Sequence, residues 1–352
     1  MAATSDAAAG ADPGRAWHTA GAPAPPETRA CSAGSRGHAG SAAEAAPGQR
    51  PLPGGGPGWN GLLALSFAES GGRTVLDRTE RSGPLGVQRP FYPEGPAPDG
   101  IVPCEVYVLH PPGGLVTGDA LEISAACGPG AKALLTSPAA TKFYRAKETP
   151  GFQRQSFLGK SAGPGAVLEH LPQEAIAFSG TRAVQDTTLV AADGGRLMAW
   201  GITLLGRAAA GEAFERGSYA ETLRVYRDGD LALFERAVIE GEAEPGARGL
   251  LASPLGLMGR PVMSWFLALG AGSASCEAGL AAALGEFRIL TAAGEDGGFP
   301  EFRGATLRDG ILLARSVGGD VSRAERYNRL AWSLARRALL GREAVHPRIW
   351  RT

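Results

Sequence analysis

Three observations predict a mainly β protein with about two α-helices at its C-terminal end. Glycine at 52 and proline at 26 of 352 residues penalise helix interiors and favour turns, strand ends and loops. From about residue 59 to 270 the chain is a succession of short apolar runs broken by Gly, Pro and Asp. It lacks the alternation of strands with long helices that a doubly wound α/β sheet requires. Only the last part carries a helical period.

Residues 1–58 are Ala, Gly and Pro with scattered Arg, Ser and Asp. A segment with so few large apolar side chains cannot offset the entropy of ordering its backbone, so it is expected to be a disordered and dispensable tail. Residues 59–352 then form one β-rich domain. Within it Val102, Cys104, Val106 and Val108 alternate with Pro103, Glu105, Tyr107 and Leu109, a period-two pattern whose second face is only partly polar. Residues 121–124 and 187–190 read the same way. Leu223–Tyr226 and Leu231–Phe234 flank Asp228-Gly229, a pair that readily supplies the positive φ angles of a tight hairpin.

Ser322 and Glu325 have the spacing of a capping box at a helix start. Tyr327, Leu330, Ala331, Leu334, Ala335 and Ala338 then follow at helical spacing, and Gly341 stands where the helix should stop. Arg326, Arg329, Ser333, Arg336 and Arg337 fall opposite, as a polar face open to an acidic partner, so Arg336→Glu is expected to leave folding intact. A weaker helical pattern covers 277–290, interrupted by Gly279 and Gly285.

Lys+Arg and Asp+Glu both number 35, so no net field draws the chain to nucleic acid or an anionic membrane. No stretch is apolar and long enough to span a bilayer, and no signal peptide is apparent, so the expected compartment is the cytoplasm. Cys31, Cys104, Cys127 and Cys276 lie far apart, which favours buried thiols over a disulfide framework or zinc site.

The chemical motifs are weak. Gly113–Asp119 has P-loop glycine spacing, but Asp119 occupies the lysine position and would repel phosphate. Gly159-Lys160-Ser161-Ala162-Gly163 matches a nucleophile elbow, yet Pro164-Gly165 and a strand-like 166–169 follow where a helix is required. A serine hydrolase using Ser161 is therefore the minor alternative. The five histidines (His18, His38, His110, His170, His346) form no HExxH and no close ligand pair. Asp119, Glu169 and Glu174 remain as carboxylates for a metal, against a plainer reading as solvated or hydrogen-bonded strand-end groups.

Several blocks in order resemble the UreD/UreH urease accessory family. They are Gly83–Gly95 (GPLGVQRPFYPEG), His110–Val116 (HPPGGLV) with Gly118-Asp119, Leu134–Thr136 with Ala140–Arg145 (ATKFYR), Leu168-Glu169 with Leu171–Glu174 (LPQE), Gly206-Arg207 with Gly211-Glu212, and Pro347–Trp350. Together they span about residue 60 to the end. Position 170 is His where the family commonly has an aromatic, and Ala208 stands where a proline usually follows Gly-Arg.

The resemblance implies stacked β-sheets in an irregular β-helix-like body and no catalysis. It implies a complex with UreF and the GTPase UreG that docks on the urease apoprotein and delivers nickel along an internal polar route. On that reading no cofactor is bound tightly and nickel is in transit. Asp119, Glu169 and Glu174 are the expected transient ligands, since a conduit must bind weakly enough to release. Lys142, Tyr144, Arg145, Gln88 and Arg89 are expected to shape the route or a partner surface. A docking subunit that never touches nickel is the other alternative.

Overall fold

A computed structural model describes residues 58–241, 249–292 and 298–351. The expected tail, with Cys31, His18 and His38, lies outside the described residues up to position 57.

The body is a coil of strands. β1 (Asn60–Ser70) and β2 (Arg73–Ser82) form an antiparallel pair, followed by β3 (Gly86–Val87), β4 (Cys104–Leu109) and β5 (Gly114–Leu115). The chain then winds in repeated turns: β6 (Ala120–Cys127), β7 (Lys132–Thr136) and β8 (Thr141–Phe143), next β9 (Gln153–Ala162), β10 (Val167–His170) and β11 (Ala175–Ala177), next β12 (Thr181–Ala192) and β13 (Arg196–Leu205). Each turn lies parallel beside the last, with Ala120 opposite Arg154, Gln153 opposite Ala183, and Val167 opposite both Lys132 and Arg196.

β14 (Gly217–Arg227) continues the first sheet parallel to β12, and β15 (Asp230–Glu240) folds back against β14. The first sheet runs β15-β14-β12-β9-β6-β1-β2. With β16 (Val262–Leu269), β17 (Phe302–Arg308) and β18 (Ile311–Gly318), the second runs β17-β18-β16-β13-β10-β7-β4-β3. β5, β8, β11 and the end of β13 make a short third face. The expected β-helix-like body is what the chain forms.

Glycine makes this winding possible at the corners. Gly163 has φ +98°, and a Cβ there would stand 2.6 Å from Pro129 of the preceding turn, so only glycine lets the corners stack this closely. The hairpin expected at Asp228-Gly229 joins β14 to β15, with φ of +49° and +94°.

The inner faces of the first two sheets meet in one core that includes Leu63, Phe67, Leu121, Phe157, Leu168, Leu189, Leu197 and Leu267. The outer face of the second sheet is covered as well. There Leu134, Val167, Met198, Trp200 and Phe266 pack against α1 (Ala274–Ala292) and α2 (Val321–Leu340) through Leu280, Phe287, Tyr327, Trp332 and Leu334. A sheet buried on both sides loses polar alternation, which accounts for the mixed second face of β4, where Glu105 and Tyr107 are both buried.

Two expectations about α2 are corrected. Its N-cap is Asp320, whose carboxylate accepts from Arg323 N at 3.0 Å, so Ser322 lies within the first turn. Glu325 pairs with Arg329 at 3.2 Å. Asp320 follows the strand-ending Gly318-Gly319 in an extended conformation, which places its side chain over the free amides. Arg336 is also not on an open face: it is fully buried, because α2 is enclosed over a wider arc than its apolar stripe marks. The stop at Gly341 is as expected, with φ +64° and its N–H on Arg337 O.

Leu334 is 5% exposed. Leu334→Asp loses that packing and buries an unpaired carboxylate, so it is expected to cost about 4 kcal/mol or more. A urea melt with the parental midpoint would place this stripe outside the core.

Candidate functional site

Asp119 sits in the turn between β5 and β6. Its Oδ1 accepts from Trp59 N and its Oδ2 from Val116 N, both at 2.9 Å. The carboxylate thus ties the start of β1 to the glycine-rich loop. His110 is near enough to feel its charge: burial lowers the imidazole pKa, and Asp119 partly opposes that.

Glu169 occupies an outward position of β10, facing α2. Its two oxygens accept from Trp332 Nε1 at 2.6 Å and Arg336 Nε at 3.2 Å. Arg336 also donates to Glu94 at 2.6 and 3.0 Å, and Arg342 reaches Glu94 at 3.0 Å. Buried Glu105, which accepts from Tyr107 Oη at 2.6 Å, is the third carboxylate in this region. Burial raises Glu169 and Glu105, with Arg336 opposing in both cases. Burial by itself would lower Arg336, but Glu169 and Glu94 outweigh it and hold the guanidinium charged.

Glu174 lies between β10 and β11 and is half-buried. Its main-chain carbonyl accepts from Thr141 N at 2.9 Å. After burial and the opposing charge of Arg329, its charge is a further cause raising Glu325. Lys142 is half-buried in β8. Tyr144 stands edge-on to Phe178 at 5.1 Å, and exposed Arg145 lies along Gly180. Gln88 and Arg89 are exposed on the loop beside β4, where Gln88 N donates to Tyr107 O at 3.0 Å and Arg89 lies over Phe91. Lys142, Tyr144 and Arg145 therefore gather at the third face, away in the chain from Gln88 and Arg89. Among the described residues no three His, Cys, Asp or Glu side chains come close enough to hold a metal ion.

The interior holds polar groups that the sequence reading missed. Fully buried Gln153 donates to Tyr144 O at 2.5 Å and accepts from Thr181 Oγ1 at 2.9 Å. Tyr219 Oη donates to Gln185 Oε1 at 3.0 Å and lies 3.1 Å from Thr203 Oγ1. Buried Glu221, raised by burial, accepts from Trp265 Nε1 at 2.7 Å. His170 points inward from β10 and stacks on Phe157, with centroids 3.5 Å apart and planes at 9°. Period-two reading of 217–227 would have put Tyr219 and Glu221 on the same inward face as Leu223 and Val225.

The rejected motifs lie as their context required. Ser161 is buried near the end of β9 with no hydrogen-bond partner for its Oγ, and the turn after it leads into strand β10 instead of the helix an elbow requires. Cys104, Cys127 and Cys276 are buried and free. Burial pushes the Cys104 thiol up to about 12.

The class defined by these features is an irregular parallel β-helix, its flank sealed by two helices, with hydrogen-bonded polar groups in the core in place of a metal-ligand cage. The chain belongs to the UreD urease accessory protein family, whose model matches residues 60–351. It is 40% identical over 296 residues to the urease accessory protein UreD of Azoarcus sp. (strain BH72), covering 84% of this chain and 95% of that protein. The UreD protein of Dechloromonas aromatica (strain RCB) is 39% identical over 304 residues, 84% of this chain and 96% of its own length. That of Klebsiella aerogenes is 37% identical over 296 residues, with 84% and 97% covered.

Proposed function

We propose that this chain serves urease maturation as a non-catalytic cytoplasmic scaffold. With UreF and the GTPase UreG it hands nickel to the urease apoprotein, the ion moving through the coil. Family membership supports the role in maturation. The observation that supports the route is two hydrogen-bonded polar groups within the coil, buried Gln153 with Thr181, and half-buried Gln185 with Tyr219 and Thr203, together with buried Glu221. Buried polar groups cost stability unless paired, and here they are paired mostly by neutral oxygens and amides, which are weak ligands for nickel(II).

The three carboxylates differ in what they can contribute. Each oxygen of Asp119 and of Glu169 already accepts a hydrogen bond that holds the fold. Glu174 makes no side-chain hydrogen bond or ion pair among the described residues, and it follows Gln173, which lines a small cavity. It is the carboxylate free to meet a passing ion.

Glu174→Gln is expected to co-purify normally with UreF, UreG and urease yet to yield urease with severalfold less nickel, read by metal analysis of the purified enzyme. Asp119→Asn and Glu169→Gln are expected to lower stability by about 1–2 kcal/mol each as well as nickel content. Normal nickel with all three amides in place, in complexes of normal composition, would leave docking without metal contact as the better account.

A further inference from the structure

His170 adjoins a small cavity of about 20 Å³, lined also by Phe157, Gln155, Gln173, Gln185, Asp186 and Thr187. That is room for one water or one desolvated ion. The Nδ1 of His170 is buried and has no hydrogen-bond partner, an arrangement that proteins rarely leave unsatisfied. His170 as a whole is only partly buried, as expected for a residue that borders a cavity. The ring is held flat on Phe157, so its orientation is set before any ligand arrives. The other polar neighbours are amides and hydroxyls, with Gln185 tied through Tyr219 to Thr203, and Asp186, whose carboxylate is already shared by Arg154 at 3.2 Å and Arg224 at 3.6 Å.

We propose that His170 and this cavity form a stopping place for the divalent nickel ion, with the imidazole as nitrogen ligand and the amide oxygens of Gln155, Gln173 and Gln185 as weak neighbours. This rests on the conduit reading and adds a ligand to it. Imidazole nitrogen is a good nickel ligand, and the stack on Phe157 fixes where this ring lies. One nitrogen donor among weak amide oxygens binds an ion without trapping it, because the one carboxylate in the lining, Asp186, is already engaged by Arg154 and Arg224.

The test uses the full chain labelled with nitrogen-15 at its five histidines. Nickel chloride is titrated in while the imidazole signals are followed, with His170 assigned from His170→Phe. The expected result is paramagnetic broadening or shift of the His170 signal that saturates, and at least tenfold weaker nickel binding at that step in His170→Phe. Phenylalanine preserves the stack on Phe157, so the variant is expected to fold. If it does not, His170→Tyr, which also keeps a ring against Phe157, serves for both the assignment and the affinity comparison.

A His170 signal unchanged at nickel concentrations that broaden other histidines would overturn the site, as would equal affinity in His170→Phe. If that happens while urease loading still depends on Glu174, the site fails and the conduit stands. Loading indifferent to Glu174, Asp119 and Glu169 would remove the conduit too.

Discussion

Arg336→Met is expected to lower the free energy of unfolding by about 3–5 kcal/mol, the cost of breaking a buried ion pair by removing one partner. Arg336 is fully buried and bonds Glu169, Glu94 and the main-chain carbonyl of Glu343. It therefore joins β10, the loop before β4 and the segment after α2. Methionine keeps most of the aliphatic bulk but leaves Glu169 without a cation and Glu94 with Arg342 alone. Arg336→Glu adds another carboxylate to Glu94, Glu105 and Glu169 and is expected to prevent folding, contrary to the expectation drawn from its place on the helical wheel. Urea denaturation measures the first effect. Adding Glu94→Gln and Glu169→Gln to Arg336→Met should recover a large part of it, because interacting sites are not additive. A loss under about 1 kcal/mol, with no recovery, would mean the cluster is not what holds α2 on the body.

The second large effect is a dependence on acid carried by His170. Burial pushes its imidazole pKa down from 6.5 to about 3. Between those values the unfolded chain binds a proton that the folded chain does not. The stability contributed by keeping this group neutral is thus complete above pH 6.5, declines as pH falls, and is lost below the folded value. The slope is about 1.4 kcal/mol per pH unit. Glu105, Glu169 and Glu221 act in the opposite sense: burial raises all three. Their contribution is present below the unfolded carboxylate pKa and fades as pH rises through the folded one. The difference between the parent and His170→Phe cancels those terms. Urea melts at pH 7.5, 6.0 and 5.0 should show the parent losing ground to the variant by about 1 kcal/mol for each unit below pH 6. Parallel curves would show that His170 is protonated in the folded chain.

By itself the sequence determined what depends on neighbours within a few residues. Asp228-Gly229 closes a hairpin because two adjacent residues tolerate positive φ. Gly341 ends α2 for the same reason, and the strand character of 102–109, 121–124 and 187–190 follows from alternation. The ordered motif blocks, from GPLGVQRPFYPEG to the last tryptophan, carried the family. The spacing of Ser322 and Glu325 put the N-cap two residues late, because the end of β18 at Gly318 sets where the helix begins and makes Asp320 the cap.

Tertiary structure alone decided which polar residues are buried. Glu94 and Arg336 are 242 positions apart, and Glu169 and Arg336 are 167 apart. An arginine next to exposed Arg337, one helical turn from half-buried Ser333 and two from half-buried Arg329, reads as solvated until a distant carboxylate is placed against it. The parallel winding was likewise beyond local reading, because parallel neighbours such as Ala120 and Arg154 meet only after a full turn of the coil. Side-chain periodicity reports which face of an element is apolar. It does not report whether a charge on the other face has a partner, and the free energy of burying that charge depends on the partner.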